Sequence, residues 1–427
     1  MGVSGTAYER AVATLDTVAW RGIMPGLERT RALLAALGNP QTGLRGALVA
    51  GTNGKGSVCA TVDSVCRAAG HRSVLLTSPH LQSYCERIVR DGAPISETEF
   101  GGLVDTVREA AEALPEELQP TGFEVLTAAG ILAARRADTD VLVCEVGLGG
   151  RLDSTNVLDL GVAVVTNVAL DHQDLLGDTI PEIAREKAAI IKTGNHAVTG
   201  ATDPALPVIE ARAAAVRARL TVVGRDVPFS GRAAGLRGVE VETLFAGQHI
   251  AVNAPLRGRF QVANVATAVA VCDAVRATGI SIDAGALRRG CENVRWQGRM
   301  DWIEGTPPIL IDGAHNPAGM AAMVSSARDL IGTRRCVAVF AVMRNKDVVS
   351  MAASLRELTA DILVTAPAVE RATRPEDLAG LFEPPASIAP DVEAALRRAR
   401  ALAGPDGVVV VCGSLYLAGE ALGLLGL

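Results

Sequence analysis

Short apolar runs alternate with longer stretches of helical periodicity between about residues 45 and 200, and this alternation constrains the fold more than any other feature. The apolar runs predict strands at 46–50, 73–77, 140–145 and 161–166. The periodic stretches predict helices near 55–69, 97–113, 121–136 and 180–191. Strands and helices that alternate in this way form a mostly parallel sheet covered by helices. The sequence therefore predicts an α/β protein.

Residues 220–256 have a different pattern, because apolar and polar residues alternate on both sides of Ala246-Gly247. This pattern predicts a hairpin in a small antiparallel element. Helical periodicity returns at 264–278, and a second α/β series follows residue 300. Its predicted strands are 309–312, 336–340, 361–365 and 408–412.

Two tryptophans, a glycine and two arginines interrupt the periodicity in residues 293–302, and we place a domain boundary there. We expect a first domain of residues 1–294, which includes the small antiparallel element. A second, Rossmann-like α/β domain of residues 295–427 follows it. A cleft between two such domains is the usual place for a ligand.

Length and composition support two domains and argue against one class of partner. A chain of 427 residues is too long for one ordinary hydrophobic core. Aromatic residues make up only 3% of the chain, and its 41 basic and 47 acidic residues include no basic run. We therefore expect no nucleic acid partner.

Cysteine usage and the chain ends predict a cytoplasmic protein. The eight cysteines include no C-x-x-C pair, which indicates buried free thiols in a reducing compartment. The N-terminus has no charged region followed by an apolar one, so we expect no secretory signal. The apolar stretch 407–427 contains Glu420 and five glycines, which favours a buried strand and a helix over a membrane anchor.

The stretch A-G-T-N-G-K-G-S (50–57) follows a predicted strand and opens a predicted helix. It departs from the usual phosphate loop G-x-x-x-x-G-K-[ST], because Val49 occupies the first glycine position and Gly56 separates Lys55 from Ser57. Its glycines still allow close approach to an anion, and the helix N-terminus and Lys55 supply positive potential. The stretch predicts a phosphate-binding, ATPase-like loop, and a plain turn with a solvated lysine is the alternative.

Two more strand ends in the first half carry polar side chains. Glu145 precedes a glycine loop and suits Mg²⁺, which prefers hard oxygen ligands and phosphates. A helix cap or a salt bridge with Arg151 is the alternative for this carboxylate. His172 lies between Asp171 and Asp174 and could be a metal ligand, a base or only a polar contact.

Five further positions have local explanations of different strength. Lys187 lies in a helical stretch, and an ion pair with Glu182 or Glu186 on a solvated face explains it without any special role. Asn316 before Pro317 is explained by helix capping. Capping does not explain Asp312 and His315, which make their strand end a candidate site, and Ser414 is predicted near the same sheet edge.

Six stretches together resemble one known family in their order and spacing. They are A-G-T-N-G-K-G-S, T-S-P-H-L with E-R-I, E-V-G-L-G-G-R-L-D-S-T-N, D-H with L-L-G, E-K-A-A-I-I-K and D-G-A-H-N-P. This set, from about residue 25 onward, resembles the bacterial folylpolyglutamate synthases and bifunctional dihydrofolate synthases of the Mur ligase superfamily. The resemblance implies a Mur-ligase-type ATP-binding domain at 1–294 and a glutamate-ligase domain at 295–427.

The resemblance also implies an activity. Such an enzyme uses ATP to join L-glutamate to dihydropteroate or to a reduced folate, and it releases ADP and phosphate after forming an acyl phosphate. Phosphorylation gives the poorly electrophilic carboxylate a leaving group, while cations offset the accumulating charge. Which of the two substrates is used stays open, and the family suggests a monomer.

The site residues that the resemblance implies fall into four groups. ATP would be bound by Thr52, Asn53, Gly54, Lys55, Gly56, Ser57, Asn264, Arg299 and Asp312. Two Mg²⁺ ions would be held by Ser78, Glu145, His172 and a Lys187 that carries a carbamate derived from CO₂. The pterin would contact Thr121, Gly122, Phe123, Glu124 and Leu152. L-glutamate would contact His315 and Ser414, and the catalytic residues would be Lys55, Lys187 and His315.

Two alternatives to this activity remain. A Mur-type ligase that acts on a cell-wall precursor is expected to carry an additional N-terminal domain, whereas about 40 residues precede the first predicted strand. A non-catalytic ATP-binding relative is disfavoured, because every matched site residue is chemically intact.

Overall fold

A computed structural model describes residues 5–19, 22 and 24–427 of the chain. The strands of its first large sheet are β1 (Gly46–Ala50), β2 (Ser73–Leu76), β3 (Ile88–Arg90), β4 (Ala93–Pro94), β5 (Val141–Glu145), β6 (Gly161–Val165), β7 (His196–Thr199) and β8 (Arg219–Val222). A small sheet has the strands β9 (Ser230–Ala233), β10 (Val239–Phe245) and β11 (Gln248–Ala254). The strands of the second large sheet are β12 (Asp301–Ile303), β13 (Ile309–Ile311), β14 (Cys336–Phe340), β15 (Asp361–Val364), β16 (Ser387–Ile388) and β17 (Val408–Cys412).

Helices separate most of these strands. Those before the second large sheet are α1 (Ala7–Ala19), α2 (Glu28–Ala36), α3 (Lys55–Ala68), α4 (Glu97–Glu112), α5 (Gly122–Arg136), α6 (Gln173–Leu176), α7 (Ile180–Ala188), α8 (Leu206–Ala215), α9 (Phe260–Ala277) and α10 (Ala284–Asn293). Those that follow are α11 (Pro317–Ile331), α12 (Val348–Arg356), α13 (Pro375–Ala379), α14 (Val392–Ala403) and α15 (Leu415–Leu424).

The first large sheet has the strand order β4-β3-β2-β5-β1-β6-β7-β8 within the described residues. All neighbours from β2 to β8 pair in parallel, and β3 and β4 form an antiparallel edge. The central strand β1 is buried along its whole length, which explains its continuous apolar run. Because β1 lies between β5 and β6, the segments that follow these three strands meet at one edge.

Two apolar cores cover the faces of this sheet. On one face α1, α4 and α5 pack together around buried side chains such as Phe100 and Ile131. On the other face α3 packs against α9 and α10 around Val65 and Val269. Burying each large apolar side chain contributes about 1.5–3 kcal/mol, so these cores hold the strand ends rigidly.

The small sheet is antiparallel, with β10 between β9 and β11. Ala246 and Gly247 both have positive φ angles, 52° and 75°, as a two-residue hairpin turn with the twist of its strands requires. The predicted hairpin is therefore confirmed. The start of the predicted stretch was wrong, because residues 219–222 form β8, which pairs in parallel with β7 in the large sheet.

The second large sheet has the order β12-β13-β17-β14-β15-β16 in the described part of the chain. Only β12 is antiparallel to its neighbour, so the sheet is otherwise parallel. Each predicted strand is present with bounds that differ by at most one residue, and the α/β fold class is confirmed. The division of the chain between residues 294 and 295 stays a prediction.

The eight cysteines are buried and form no disulfide, as predicted. The stretch 407–427 contains the buried strand β17 and the helix α15, also as predicted. In the residues that the structure describes, every helix is too short or too polar to cross a membrane.

Candidate active site

The predicted phosphate loop leaves β1 and enters α3 at a position where the backbone is crowded. A Cβ atom on Gly54 would lie 2.4 Å from Asn264 Oδ1, and one on Gly56 would lie 2.5 Å from the Trp296 ring. Gly54 also has a φ of 81°, which glycine adopts without strain. The loop therefore requires glycine at both positions, and Asn264 of α9 lies directly beside it.

Amide side chains fix the loop in place. Asn53 N–H donates to Asn167 Oδ1 at 2.9 Å, and Asn167 Nδ2 donates back to Asn53 O at 3.0 Å. On the helix side, Gln261 Nε2 donates to the buried Ser57 hydroxyl at 3.1 Å. The loop is thus held in shape by β6 and α9 before any ligand binds.

The Lys55 ammonium folds back over the loop. It donates to Gly51 O at 3.2 Å and to Thr52 O at 3.3 Å, and it lies 4.0 Å from Glu145 Oε1. These contacts are long for bonds of a charged donor, which are usually near 2.7–2.9 Å. A phosphate oxygen could therefore replace them at little cost.

Ser78 and Glu145 face each other where β2 and β5 end. The Ser78 amide donates to Glu145 Oε2 at 3.4 Å, and the buried Ser78 hydroxyl has no hydrogen-bond partner. Burial raises the pKa of the Glu145 carboxyl, and the charge of Lys55 opposes that rise. A buried hydroxyl without a partner, beside a carboxylate that accepts one long hydrogen bond, is suited to bind a cation.

Within the described residues, no three His, Cys, Asp or Glu side chains are grouped as a complete metal site. This fits Mg²⁺, which commonly takes one or two protein oxygens and completes its shell with water and phosphate. The alternative that Glu145 pairs with Arg151 is wrong, because Arg151 Nε bonds to Glu186 Oε1 at 2.9 Å.

Lys187 is buried, with 4% of its surface exposed, so its interpretation as a surface ion pair is also wrong. Glu186 bonds to Arg151, and Glu182 caps the start of α7. Lys187 Nζ instead donates to Gly51 O at 3.1 Å, the same carbonyl that Lys55 contacts. Burial, and then the charge of Lys55, lower the pKa of Lys187 to about 7.

The two large sheets meet at this loop through five polar side chains. Lys346 Nζ donates to Asp171 Oδ1 at 2.6 Å and to His172 Nε2 at 2.9 Å. Asn316 Nδ2 donates to Asp171 Oδ2 and to Asn53 Oδ1, each at 3.0 Å. Burial lowers the pKa of His172, so its Nε2 is an acceptor that here faces an ammonium.

Sequence reasoning missed Lys346 and gave Asn316 too small a role. Asn316 does cap α11, because its Oδ1 accepts Gly319 N–H at 2.8 Å, but its amide also spans the cleft. Lys346 lies in a loop after β14, among the charged residues R-N-K-D. Its position after a strand end was the only local signal, and its partner Asp171 is 175 residues away.

The carboxyl edge of the second sheet holds the other predicted residues. Asp312 accepts Met300 N–H at 2.9 Å and Ala314 N–H at 2.7 Å, next to Arg299, whose charge opposes the rise that burial causes in the Asp312 pKa. His315 Nδ1 donates to the Gly313 carbonyl at 2.8 Å.

Burial, and then the charge of Lys346, lower the pKa of His315 to about 4, so its ring is neutral near pH 7. Ser414 is buried and caps α15 by accepting Tyr416 N–H at 3.1 Å. A Cβ atom on Gly313 would lie 2.3 Å from Leu415, so the His315 loop and the start of α15 are in contact.

The predicted pterin contacts lie at the start of α5 and in the segment after β5. A Cβ atom on Gly147 would lie 2.4 Å from the Phe123 ring, and Leu152 is partly buried in the same loop. Thr121 and Glu124 cap each other's backbone amides at the start of α5, which also includes Gly122. The apolar Phe123 is therefore available to a ring system, whereas the polar atoms of Thr121 and Glu124 are already bonded within the protein.

Known proteins share this fold and these motifs. The family model of the Mur ligase middle domain matches residues 49–272, and that of the Mur ligase, glutamate ligase domain, matches residues 298–415. The dihydrofolate synthase/folylpolyglutamate synthase of Bacillus subtilis is 33% identical over 427 residues, which cover 96% of this chain and 97% of the relative.

A probable bifunctional folylpolyglutamate synthase/dihydropteroate synthase of Halobacterium salinarum is 37% identical over 97% of this chain. The match covers 51% of that protein, so the chain spans about half its length. A solved bifunctional folylpolyglutamate synthase/dihydrofolate synthase with Mn, AMPPNP and L-glutamate bound has a TM-score of 0.87 and 30% identity, over 99% of this chain and all of the other.

These matches confirm the resemblance stated from the motifs. The chain belongs to the Mur ligase family, and within it to the group of folylpolyglutamate and dihydrofolate synthases.

Proposed function

We propose that this protein is an ATP-dependent ligase that joins the amino group of L-glutamate to the carboxylate of dihydropteroate or of a reduced folate. One observation carries the proposal. Two lysines converge on the Gly51 carbonyl beside the buried Glu145, at the carboxyl edge of the parallel sheet, where Asn316 at the start of α11 donates across the cleft to Asn53. This edge has the charge and the cleft that transfer of a phosphoryl group to a carboxylate requires.

The phosphates of ATP would lie on the loop Thr52–Ser57, with Asn264, Arg299 and Asp312 around the rest of the nucleotide. Lys55 would exchange its two carbonyl contacts for phosphate oxygens. Because the loop is already held by Asn167 and Gln261, little reorganisation opposes this step. The phosphoryl group then passes to the substrate carboxylate, and the acyl phosphate loses phosphate when the glutamate amine attacks.

Mg²⁺ fits the residues present. Ser78, whose buried hydroxyl has no partner, and Glu145 would hold one ion, while His172 and a modified Lys187 would contribute to a second. A divalent ion offsets the charge that accumulates on the phosphates during transfer. The relative with Mn and AMPPNP bound supports the use of a nucleotide with a divalent ion in this group.

The modification of Lys187 is a carbamate. With a pKa of about 7, much of Lys187 is a neutral amine at neutral pH, and a neutral amine adds to the carbon of CO₂ with loss of one proton. The product is an anion, which the nearby Lys55 ammonium stabilises. A buried cation thereby becomes a carboxylate-like ligand.

His315 is suited to receive the incoming glutamate. Its Nδ1 carries the proton that bonds to the Gly313 carbonyl, so Nε2 of the neutral ring can accept a hydrogen bond from the glutamate ammonium. Ser414, which caps α15 in the same region, would contact the glutamate. The pterin would lie against Phe123 and Leu152, with Thr121, Gly122 and Glu124 forming the wall behind it. We expect a monomer in the cytoplasm.

Phosphate release by the purified protein tests the proposal. With Mg²⁺, bicarbonate, ATP, glutamate and either dihydropteroate or tetrahydrofolate, phosphate should appear only when both the pteridine and glutamate are present. Parallel assays with the two pteridines decide which activity is present. No phosphate above background with either pteridine would refute the proposal, and release with a cell-wall precursor instead would assign a different Mur-type substrate.

A further inference from the structure

A buried ion pair joins α2 to the start of α5. Arg29 Nε donates to Glu124 Oε2 at 3.1 Å, and Arg29 Nη2 lies 3.0 Å from Glu124 Oε1. The two side chains are 11% and 4% exposed. Such a forked arginine–carboxylate pair fixes geometry strongly, but burying it contributes little net stability because both charges lose their water. Its presence therefore calls for another explanation.

Each partner also holds a second segment. Arg29 Nη2 donates to the carbonyl of Met24, in the loop that leads into α2. Glu124 Oε2 accepts Thr121 N–H at 2.7 Å, which fixes the first turn of α5. One ion pair thus sets the separation between the loop at residues 24–27 and the turn that contains Phe123.

Both linked segments carry apolar side chains that are not fully buried. The Phe123 ring lies against Gly147, two residues after Glu145. Met24 is 45% exposed. The ion pair therefore links an apolar loop to an aromatic ring, the two kinds of surface that commonly line a site for a flat heterocycle.

We propose that Arg29 is a positioning residue for the pteridine, because it holds the loop at residues 24–27 at the correct distance from Phe123. The proposal rests on the ligase function above. Arg29 is enclosed by its bonds to Glu124 and Met24, and so it acts through these segments. Lysine at this position would keep the charge but lose the fork, so it could not hold both partners at once.

The test compares Arg29→Lys, Arg29→Met and the matched control Arg31→Met, which makes the same change at an exposed position of the same helix. The KM values for pteridine, ATP and glutamate and the melting temperature are measured for each protein. We expect Arg29→Lys to raise the pteridine KM about tenfold while the KM for ATP changes by less than about twofold. Arg29→Met should raise the pteridine KM further, and Arg31→Met should match the wild type.

A purely structural ion pair would behave differently. If Arg29→Lys and Arg29→Met lower the melting temperature but leave the pteridine KM unchanged, or raise all three KM values equally, the positioning role is refuted. Should Arg29→Met fail to fold, Arg29→Lys alone decides between these outcomes, since it keeps the buried charge paired. A wild-type protein without activity on any pteridine would refute the ligase function itself, and the positioning role with it.

Discussion

The carboxyl edges of the two large sheets satisfy their polar side chains differently. In the second sheet, Asp312 accepts two backbone N–H groups and Ser414 caps a helix. In the first sheet, the Ser78 hydroxyl has no partner, Glu145 accepts one bond of 3.4 Å, and Lys187 makes one bond of 3.1 Å. Asp312 and Ser414 are thus satisfied within the protein, although the buried Thr365 hydroxyl after β15 also lacks a partner. The three groups of the first edge have bonding capacity that phosphate and metal could satisfy. Substitutions at the first edge should therefore affect activity, and those at the second edge should also affect stability.

Glu145→Gln should have the largest effect on activity. Loss of this charge should lower kcat by roughly 10²-fold or more, because Glu145 is the carboxylate that we propose to hold Mg²⁺ and to offset the nearby cations. The free energy of unfolding should stay the same or rise. Burying the charged carboxylate costs desolvation energy that its 4.0 Å contact with Lys55 does not offset. Turnover and urea unfolding measure both effects. Glu99→Gln, in an exposed pair with Arg90, is the matched control. A large loss of stability in Glu145→Gln would contradict the difference that we infer between the two sheet edges.

Lys187→Ala should lower turnover by on the order of 10²-fold through loss of the proposed carbamate, while the fold stays intact. The modification itself can be observed with ¹³C-bicarbonate, which should give a carbamate signal in the wild type that is missing from Lys187→Ala. Intact-protein mass spectrometry is a poor substitute because the carbamate is labile. A bare ammonium on Lys187 in an active, metal-loaded structure would contradict this role.

Asp312→Ala should lower both stability and activity. The amides of Met300 and Ala314 would lose their acceptor in a buried environment, at a cost of about 2 kcal/mol in the free energy of unfolding. Urea unfolding measures this cost, and Asp312→Asn should recover part of it by keeping one acceptor oxygen. An Asp312→Ala protein as stable as the wild type would show that the second edge is not held together by its own bonds.

Lys192 can be compared with Lys187, five residues earlier, because burial lowers the pKa of both lysines. It is also largely buried, and burial lowers its pKa to about 8 from 10.5. Its Nζ, however, donates to Asn156 Oδ1 at 2.8 Å and to Leu158 O at 2.6 Å, so we assign it a structural role only.

The effect of Lys192 should be limited to the pH dependence of stability. Between about pH 8 and 10.5 the unfolded chain keeps the proton that the folded chain has lost, so stability should rise with pH by up to about 1.4 kcal/mol per unit. Below pH 8 the full cost of burying the charge is present. Lys192→Met should reduce this rise, to which Lys187 also contributes, and leave kcat unchanged, as unfolding curves at several pH values and turnover assays can show. A kcat that falls with Lys192→Met would contradict its structural role.

Most of the fold could be predicted because strand and helix signals are local. A strand such as β17 that is buried on both faces needs a continuous apolar run, and V-V-V-V-C provides one. Residues 219–222 show the limit of this reasoning. Their alternation of polar and apolar residues suits either an antiparallel hairpin or an edge strand, and only pairing with β7 makes them β8.

The candidate site was predicted less evenly. Glycines at the phosphate loop and Glu145 at a strand end carry a local signal, and the motif order supplied the rest. Lys187 had no local signal, because E-K in an amphipathic helix has the same pattern whether the lysine faces water or the Gly51 carbonyl. Lys346 was missed because its partners Asp171 and His172 are distant in the sequence.

The sequence by itself therefore determined the α/β class, the strands, the phosphate loop and the family. These depend on apolar periodicity, on glycine conformations and on motif order, all of which a chain carries before it folds. The tertiary structure alone decided the lowered pKa of Lys187, the link of Lys346 to Asp171 and the ion pair of Arg29 with Glu124. Burial and Coulomb interactions act through space, so residues far apart along the chain set these properties only after the elements pack.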